Sequence, residues 1–278
     1  MSNFTEAAYS DCVCCPEVDH PVNYQYEELN VSDPAYTSFN TTYDEKIHVD
    51  VQMPKITKQL SPDLHYDMDY VTDNLPSNFG CSSAFKVLSE EGMTVVESTI
   101  DVLSKYAANS SRIPRVMRGG CFRSKFLNDL GHSPAILRCV SELAGCELVY
   151  HPMKIQQLHL NMNPHPKKDE VPTKKRIDKW HCDTTPFVLV LFCTDRSAYE
   201  GGNLQYFNGT KQEGVDWLSA RSESELSGEV DDINSPVHTI GIHQQKGYGC
   251  FMQGSRVFHQ VTPVTKGLER NTLVFSFQ

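Results

Sequence analysis

Trp180-His181-Cys182-Asp183-Thr184-Thr185-Pro186-Phe187-Val188-Leu189-Val190-Leu191-Phe192-Cys193 sets two patterns side by side. Phe187 to Cys193 is the longest uninterrupted apolar run in the chain, at seven residues. A continuous run of that length suits a strand buried on both faces. A membrane-spanning helix would need roughly twenty apolar residues, so no span is expected. Just before the run, His181 and Asp183 stand two residues apart. Along an extended segment residues i and i+2 face the same way, so this imidazole and this carboxylate address one point in space. Such a donor pair suits a divalent metal of intermediate softness. Alone, the pair is also what a turn Asp beside a surface His would give.

Outward from this stretch, the chain reads as strands from residue 147 onward. Gln157-Leu158-His159-Leu160-Asn161-Met162-Asn163 alternates polar and apolar, which predicts a strand with two different faces. Gln157, His159 and Asn161 share one face, which points either into a site or to solvent. Further strands are expected around Gly202 to Phe207, Val237 to His243, Gly249 to Gln253, Phe258 to Val261 and Thr272 to Phe277. Between residues 82 and 146 the spacing turns helical. Ala84, Phe85, Val87, Leu88, Met93, Val95, Val96, Ile100 and Leu103 predict one long amphipathic helix capped by Ser82 or Ser83. A second helix is predicted from Arg123 to Leu130, stopping at Gly131. A third starts at Ser133-Pro134, with Pro at the first helical position, and ends near Gly145. Helices followed by a run of strands indicate an α+β fold whose strands form a sandwich or jelly roll. Residues 1–80 are rich in turn formers yet carry many Tyr and Phe, and are expected to wrap the core as short strands and turns.

Composition narrows the function. With 25 Lys and Arg against 35 Asp and Glu, the formal charge is −10, which argues against nucleic acid as partner. The N-terminal Met1-Ser2-Asn3-Phe4-Thr5-Glu6 has neither a basic nor an apolar signal region, so the expected location is the cytoplasm. The 10 cysteines are then expected as reduced thiols, and the sequons at Asn3, Asn30, Asn40, Asn109 and Asn208 as silent. Cys12, Cys14 and Cys15 lack a second ligand pair at zinc spacing. Nothing in the sequence sets the oligomeric state.

The second chemical feature is Phe258-His259-Gln260-Val261-Thr262-Pro263-Val264, followed by Thr265-Lys266-Gly267-Leu268-Glu269-Arg270. A turn at Lys266-Gly267 would return Arg270 close to His259 as a hairpin. Arg is the side chain whose planar fork meets a carboxylate in two parallel hydrogen bonds. A His packed in a strand and an Arg at a sheet edge would be the plainer account.

Taken in order, His181-x-Asp183, the distal His259, and Arg270 in HQVTPVTKGLER resemble the iron(II)/2-oxoglutarate-dependent dioxygenases. Within them the match is to the prolyl-hydroxylase and phytanoyl-hydroxylase type, close to a branch of fungal oxygenases. The Glu200-Gly201-Gly202-Asn203-Leu204 hairpin after the His-x-Asp strand adds to it. The resemblance covers residues 150–278 and implies a double-stranded β-helix barrel over that span, with flanking helices from residue 81. It further implies that His181, Asp183 and His259 bind Fe2+, that Arg270 pairs with the distal carboxylate of 2-oxoglutarate, and that O2 is the oxidant. Related halogenases carry a small residue in place of the carboxylate. Asp183 therefore favours hydroxylation, desaturation or oxidative ring closure over halogenation.

Gln157, His159, Asn161 and Thr262 are further candidates for contacting cosubstrate or substrate. Trp180, Phe258 and Cys182 should point away from the ligands into core. Lys167-Lys168 and Lys174-Lys175-Arg176 form a basic loop that either covers the site or is a solvated charge run. The expected substrate is a small molecule, with an amino acid or related metabolite first. The alternatives are a protein side chain, as in prolyl hydroxylases, or no reaction at all in a metal-binding jelly-roll module.

Overall fold

A computed structural model describes residues 41–108, 113, 115–163, 178–221, 235–241 and 245–278. The Cys12–Cys15 cluster, most of the basic loop and the sequons other than Asn208 lie outside these. The chain opens with α1 (Glu45–His48), β1 (Thr57–Gln59), α2 (Met68–Asn74), β2 (Phe79–Ser82) and β3 (Phe85–Lys86). A helical block follows: α3 (Glu90–Leu103), then β4 (Arg115–Met117), α4 (Gly120–Arg123), α5 (Lys125–Leu130), α6 (Pro134–Ala144) and α7 (Lys154–Gln157). The rest is mostly strand: β5 (Leu158–Asn163), β6 (Asp178–His181), β7 (Phe187–Phe192), β8 (Tyr199–Gly201) and β9 (Leu204–Phe207). After α8 (Lys211–Ser219) come β10 (Val237–Ile240), β11 (Tyr248–Met252), β12 (His259–Val261), β13 (Val264–Gly267) and β14 (Arg270–Phe277).

One sheet of eight strands runs β1-β2-β11-β7-β14-β5-β4, with β3 paired to β11. A second of four strands runs β10-β9-β12-β6, and β13 pairs with β8 as a two-stranded ribbon. The pairings between named strands are antiparallel, as a jelly roll requires.

The apolar run of β7 shows why two sheets are needed. Phe187, Leu189 and Leu191 pack into a core shared with the helices, whereas Val188 and Phe192 pack into a core against the second sheet. Period-two alternation sends successive side chains to opposite faces, so a strand apolar at every position must be covered on both. Beyond it on one side, β14 and then β5 carry polar residues among those facing the second sheet. On β5, Leu158, Leu160 and Met162 join the helical core, as do Leu273, Phe275 and Phe277 on β14. Burying each such side chain contributes about 1.5–3 kcal/mol. Their polar alternates, His159, Asn161 and Asn163 on β5 and Arg270, Thr272 and Ser276 on β14, face the second sheet across a cavity.

Two of the predicted helices form nearly as read. Ser124 caps α5 by accepting from the Leu127 N–H, and Gly131 closes it. Ser133 caps α6 by accepting from the Ile136 N–H, Pro134 follows, and Gly145 ends it at φ 68°. The predicted helix from residue 82 is corrected. Phe79–Ser82 and Phe85–Lys86 are strands, and α3 begins only at Glu90, with Ser89 as its cap. The Ser82 hydroxyl accepts instead from the Phe251 N–H, fixing β2 against β11. A sheet edge offered this segment hydrogen bonds that its helical spacing could not reveal. The predicted His259–Arg270 hairpin is corrected too. β13 pairs with β8, and β14 leaves to join the other sheet, so the two residues approach from opposing sheets.

No helix among the described residues is long and apolar enough to cross a membrane. The described cysteines, Cys81, Cys121, Cys139, Cys146, Cys182, Cys193 and Cys250, are free thiols.

Candidate metal and cosubstrate site

β6 and β12 lie side by side in the second sheet, with His181 directly opposite His259. Their ring centroids are 4.2 Å apart. Asp183, just beyond β6, is tied back by its own N–H, which donates to the Gly254 carbonyl at 2.8 Å. Its carboxylate oxygens sit 3.3 Å from His181 Nε2 and 3.7 Å from His259 Nε2. One donor atom from each of the three residues falls within 4.8 Å of the other two.

The orientation of both rings is fixed from behind. His181 Nδ1 lies 2.6 Å from the Lys179 carbonyl oxygen, and His259 Nδ1 lies 2.9 Å from that of Val257. A carbonyl only accepts, so each Nδ1 carries the proton and, in the neutral ring, each Nε2 turns a lone pair toward the shared centre. Asp178 Oδ1, 3.6 Å from His181 Nδ1, places a second carboxyl behind that ring. Two neutral imidazoles and one carboxylate on one side of a point form a facial set that leaves room for other ligands. The donor chemistry fits iron(II).

The triad opens onto a cavity of about 290 Å³ between the sheets. Arg270 lines it from the first sheet and is 2% exposed. Burial pulls the pKa of its guanidinium down, an effect opposed by the Tyr199 hydroxyl to which it hydrogen-bonds. Gly202, at φ +60°, passes so close that a Cβ there would lie 2.8 Å from Arg270 Cδ. The side chain is held on that side, yet its Nε and Nη2 have no hydrogen-bond partner among the described residues. A buried cation with idle donors is costly unless something anionic arrives. The arrangement fits a carboxylate, as 2-oxoglutarate would supply.

His159 and Asn161 line the same cavity, in register with Val274 and Thr272 of β14. Gln157 does not join them. It is the last residue of α7, the strand starts only at Leu158, and its Nε2 donates to the His151 carbonyl at 2.8 Å. Thr262 is also outside the lining, and its Oγ1 accepts from the Asn203 N–H at 2.8 Å. Trp180 and Phe258 stack at 5.2 Å in a separate core with Phe207 and Val237. Cys182 packs against that core and touches the cavity wall. Burial pushes its thiol up to about 11, so it stays protonated at neutral pH.

Sequence reading missed Arg118, Gln156, Asp178, Asn163, Thr272 and Ser276, all of which line the cavity. Three of these had a signal. Asn163 continues the polar alternation of β5, and Thr272 and Ser276 share parity with Arg270. Arg118 had none, since it lies between β4 and α4 and reaches the site only through the pairing of β4 with β5.

The sequence profile of the halogenase D family matches residues 77–278. No curated protein matches the chain. Among solved structures, the chain is similar to SnoN, the non-heme alpha ketoglutarate dependent epimerase from nogalamycin biosynthesis. The TM-score is 0.51 at 16% identity, over 72% of this chain and 78% of that one. The same epimerase in complex with Fe3+, alpha ketoglutarate and nogalamycin RO gives 0.51 at 15%, over 72% and 78%. EctD from S. alaskensis with bound Fe gives 0.51 at 10%, over 83% of this chain and 84% of that one. At these identities the likeness is one of fold, and the match over residues 77–278 carries the family. The chain belongs to the halogenase D family and is an enzyme of the iron(II)/2-oxoglutarate-dependent oxygenase superfamily.

Proposed function

We propose that this enzyme oxidises a small molecule, an amino acid or a close relative, by hydroxylation, desaturation or oxidative ring closure. The supporting observation is the meeting, in one cavity, of the three donors within 4.8 Å and the buried Arg270 with two unmatched donor nitrogens. In this reading His181, Asp183 and His259 hold iron(II), and Arg270 receives the distal carboxylate of 2-oxoglutarate. Bound iron(II) with 2-oxoglutarate and O2 would supply the oxidising chemistry, in which one oxygen atom ends in succinate as CO2 is lost and the other enters the product on hydroxylation or leaves as water with two substrate hydrogens on desaturation or ring closure.

The protein's own residues orient and protect. The Lys179 and Val257 carbonyls keep both Nδ1 protons in place, so neither ring can turn its lone pair away. Val188, Val190, Leu204, Val261 and Val274 give the lining an apolar share that limits water around the reacting centre. Arg118, whose guanidinium donates to Gln156 Oε1, and the Asp178 carboxyl add one basic and one acidic group to the wall. That combination suits a zwitterionic substrate and supports the amino-acid class. Asp183 fills the position that halogenases leave open for halide, so oxidation without halogen transfer is favoured despite the family's description.

The test is an anaerobic titration of the apoprotein with iron(II) and then 2-oxoglutarate, read by the visible metal-to-ligand charge-transfer band. The band should form in the wild type, vanish in His181→Ala, and require far more 2-oxoglutarate in Arg270→Ala. Succinate release with a panel of amino acids then identifies the substrate. A folded, iron-loaded wild type that gives no band would overturn the oxygenase reading.

A further inference from the structure

Asn163 ends β5 at 1% exposure, lines the cavity, and has no hydrogen-bond partner among the described residues for either carboxamide atom, Oδ1 or Nδ2. Leaving both ends of a buried amide unmade is unfavourable, and an apolar side chain would fill the same space without that cost. The residue directly opposite it in the ladder is Arg270. Side chains facing each other on adjacent antiparallel strands have Cβ atoms about 5 Å apart, close enough to meet one ligand group. Arg270 contributes idle Nε and Nη2 donors, and Asn163 adds an idle Nδ2. The next rungs, Thr272 with Asn161 and Val274 with His159, carry no fixed charge, so this rung is the cationic end of the cavity floor.

We infer that Asn163 is a cosubstrate-binding residue that shares the distal carboxylate of 2-oxoglutarate with Arg270. A carboxylate has room for more than two hydrogen bonds, and the fork of Arg270 does not saturate it. The rung then selects 2-oxo acids that end in a carboxylate over those that do not. This rests on the reading of the cavity as a 2-oxoglutarate site.

The experiment compares wild type, Asn163→Leu and Asn163→Asp as anaerobic iron(II)-loaded full chains. Calorimetric titration is run with 2-oxoglutarate and, separately, with pyruvate, which has the same chelating end and no distal carboxylate. Loss of one hydrogen bond to a charged group should raise the 2-oxoglutarate Kd of Asn163→Leu by about 10-fold. Asn163→Asp should bind it more weakly still, because the new carboxylate opposes the ligand's and occupies Arg270. Pyruvate and iron(II) affinities should stay unchanged in both. Wild-type 2-oxoglutarate affinity in Asn163→Leu, or equal losses for 2-oxoglutarate and pyruvate, would overturn the inference while leaving the oxygenase reading intact. A wild type that binds iron(II) but no 2-oxoglutarate would remove both.

Discussion

Gly254 offers the sharpest test of how the proposed metal site is held. A Cβ added there would stand 2.3 Å from Asp183 Oδ2 and 3.1 Å from both Asp183 Cβ and Cγ. Three atoms of one short side chain are in the way, so no rotation about a single bond relieves the contact. Backbone retreat is opposed as well, since the Asp183 N–H is bonded to the Gly254 carbonyl at 2.8 Å. Restoring ordinary contact moves the carboxylate by about 1 Å, whereas metal–ligand distances tolerate only ~0.2 Å. Gly254→Ala should therefore weaken iron(II) binding by about 10- to 100-fold, which is ~1.4–2.7 kcal/mol. A chelator-competition titration under anaerobic conditions measures this, with circular dichroism and the apoprotein Tm showing that the fold persists. If folded Gly254→Ala binds iron(II) as the wild type does, Asp183 is not held at the metal by this contact and the reasoning is wrong.

Other expected outcomes follow from the same cavity. Arg270→Leu removes a buried cation whose Nε and Nη2 are unmatched, so 2-oxoglutarate binding should fall by ~100-fold or more while the apoprotein Tm stays level or rises. A clear drop in the apoprotein Tm would show that Arg270 serves the fold instead. Thr262→Val strands the Asn203 N–H that now bonds Thr262 Oγ1, which should cost about 1 kcal/mol of stability in chemical denaturation and leave the 2-oxoglutarate Kd unchanged. Iron(II) supplied anaerobically at ~100 times its Kd adds ~2.7 kcal/mol, which should raise Tm by about 5–10 °C in scanning calorimetry. His259→Ala should abolish that shift.

What was legible in the chain was whatever repeats over a few residues. The Phe187–Cys193 run announced a strand covered on both faces, and β7 has one core on each side. Ser133-Pro134 and Gly145 announced the ends of α6, because caps are set by groups within one turn. His181 and Asp183 were legible as two metal-type donors two residues apart, although Asp183 lies beyond β6 and is tied there by its bond to Gly254, and the distal His259 was legible only through resemblance. The failures share a cause. The residue 82–88 spacing was compatible with helix and strand, and only the available edge of β11 decided between them. Gln157 fits the alternation of β5 by parity, yet α7 holds it one residue outside the strand.

The sequence by itself therefore determined the fold class and the residue types of the candidate site, His181, Asp183, His259 and Arg270. The tertiary structure decided where those pieces meet. It placed Arg270 on the sheet opposite His259 rather than in a hairpin with it, set Asn163 on the same rung, and pressed Gly254 against Asp183. Periodicity records which face of an element is buried. It does not record which distant strand supplies the hydrogen bonds, because that choice is a competition among long-range pairings whose energies no local window contains.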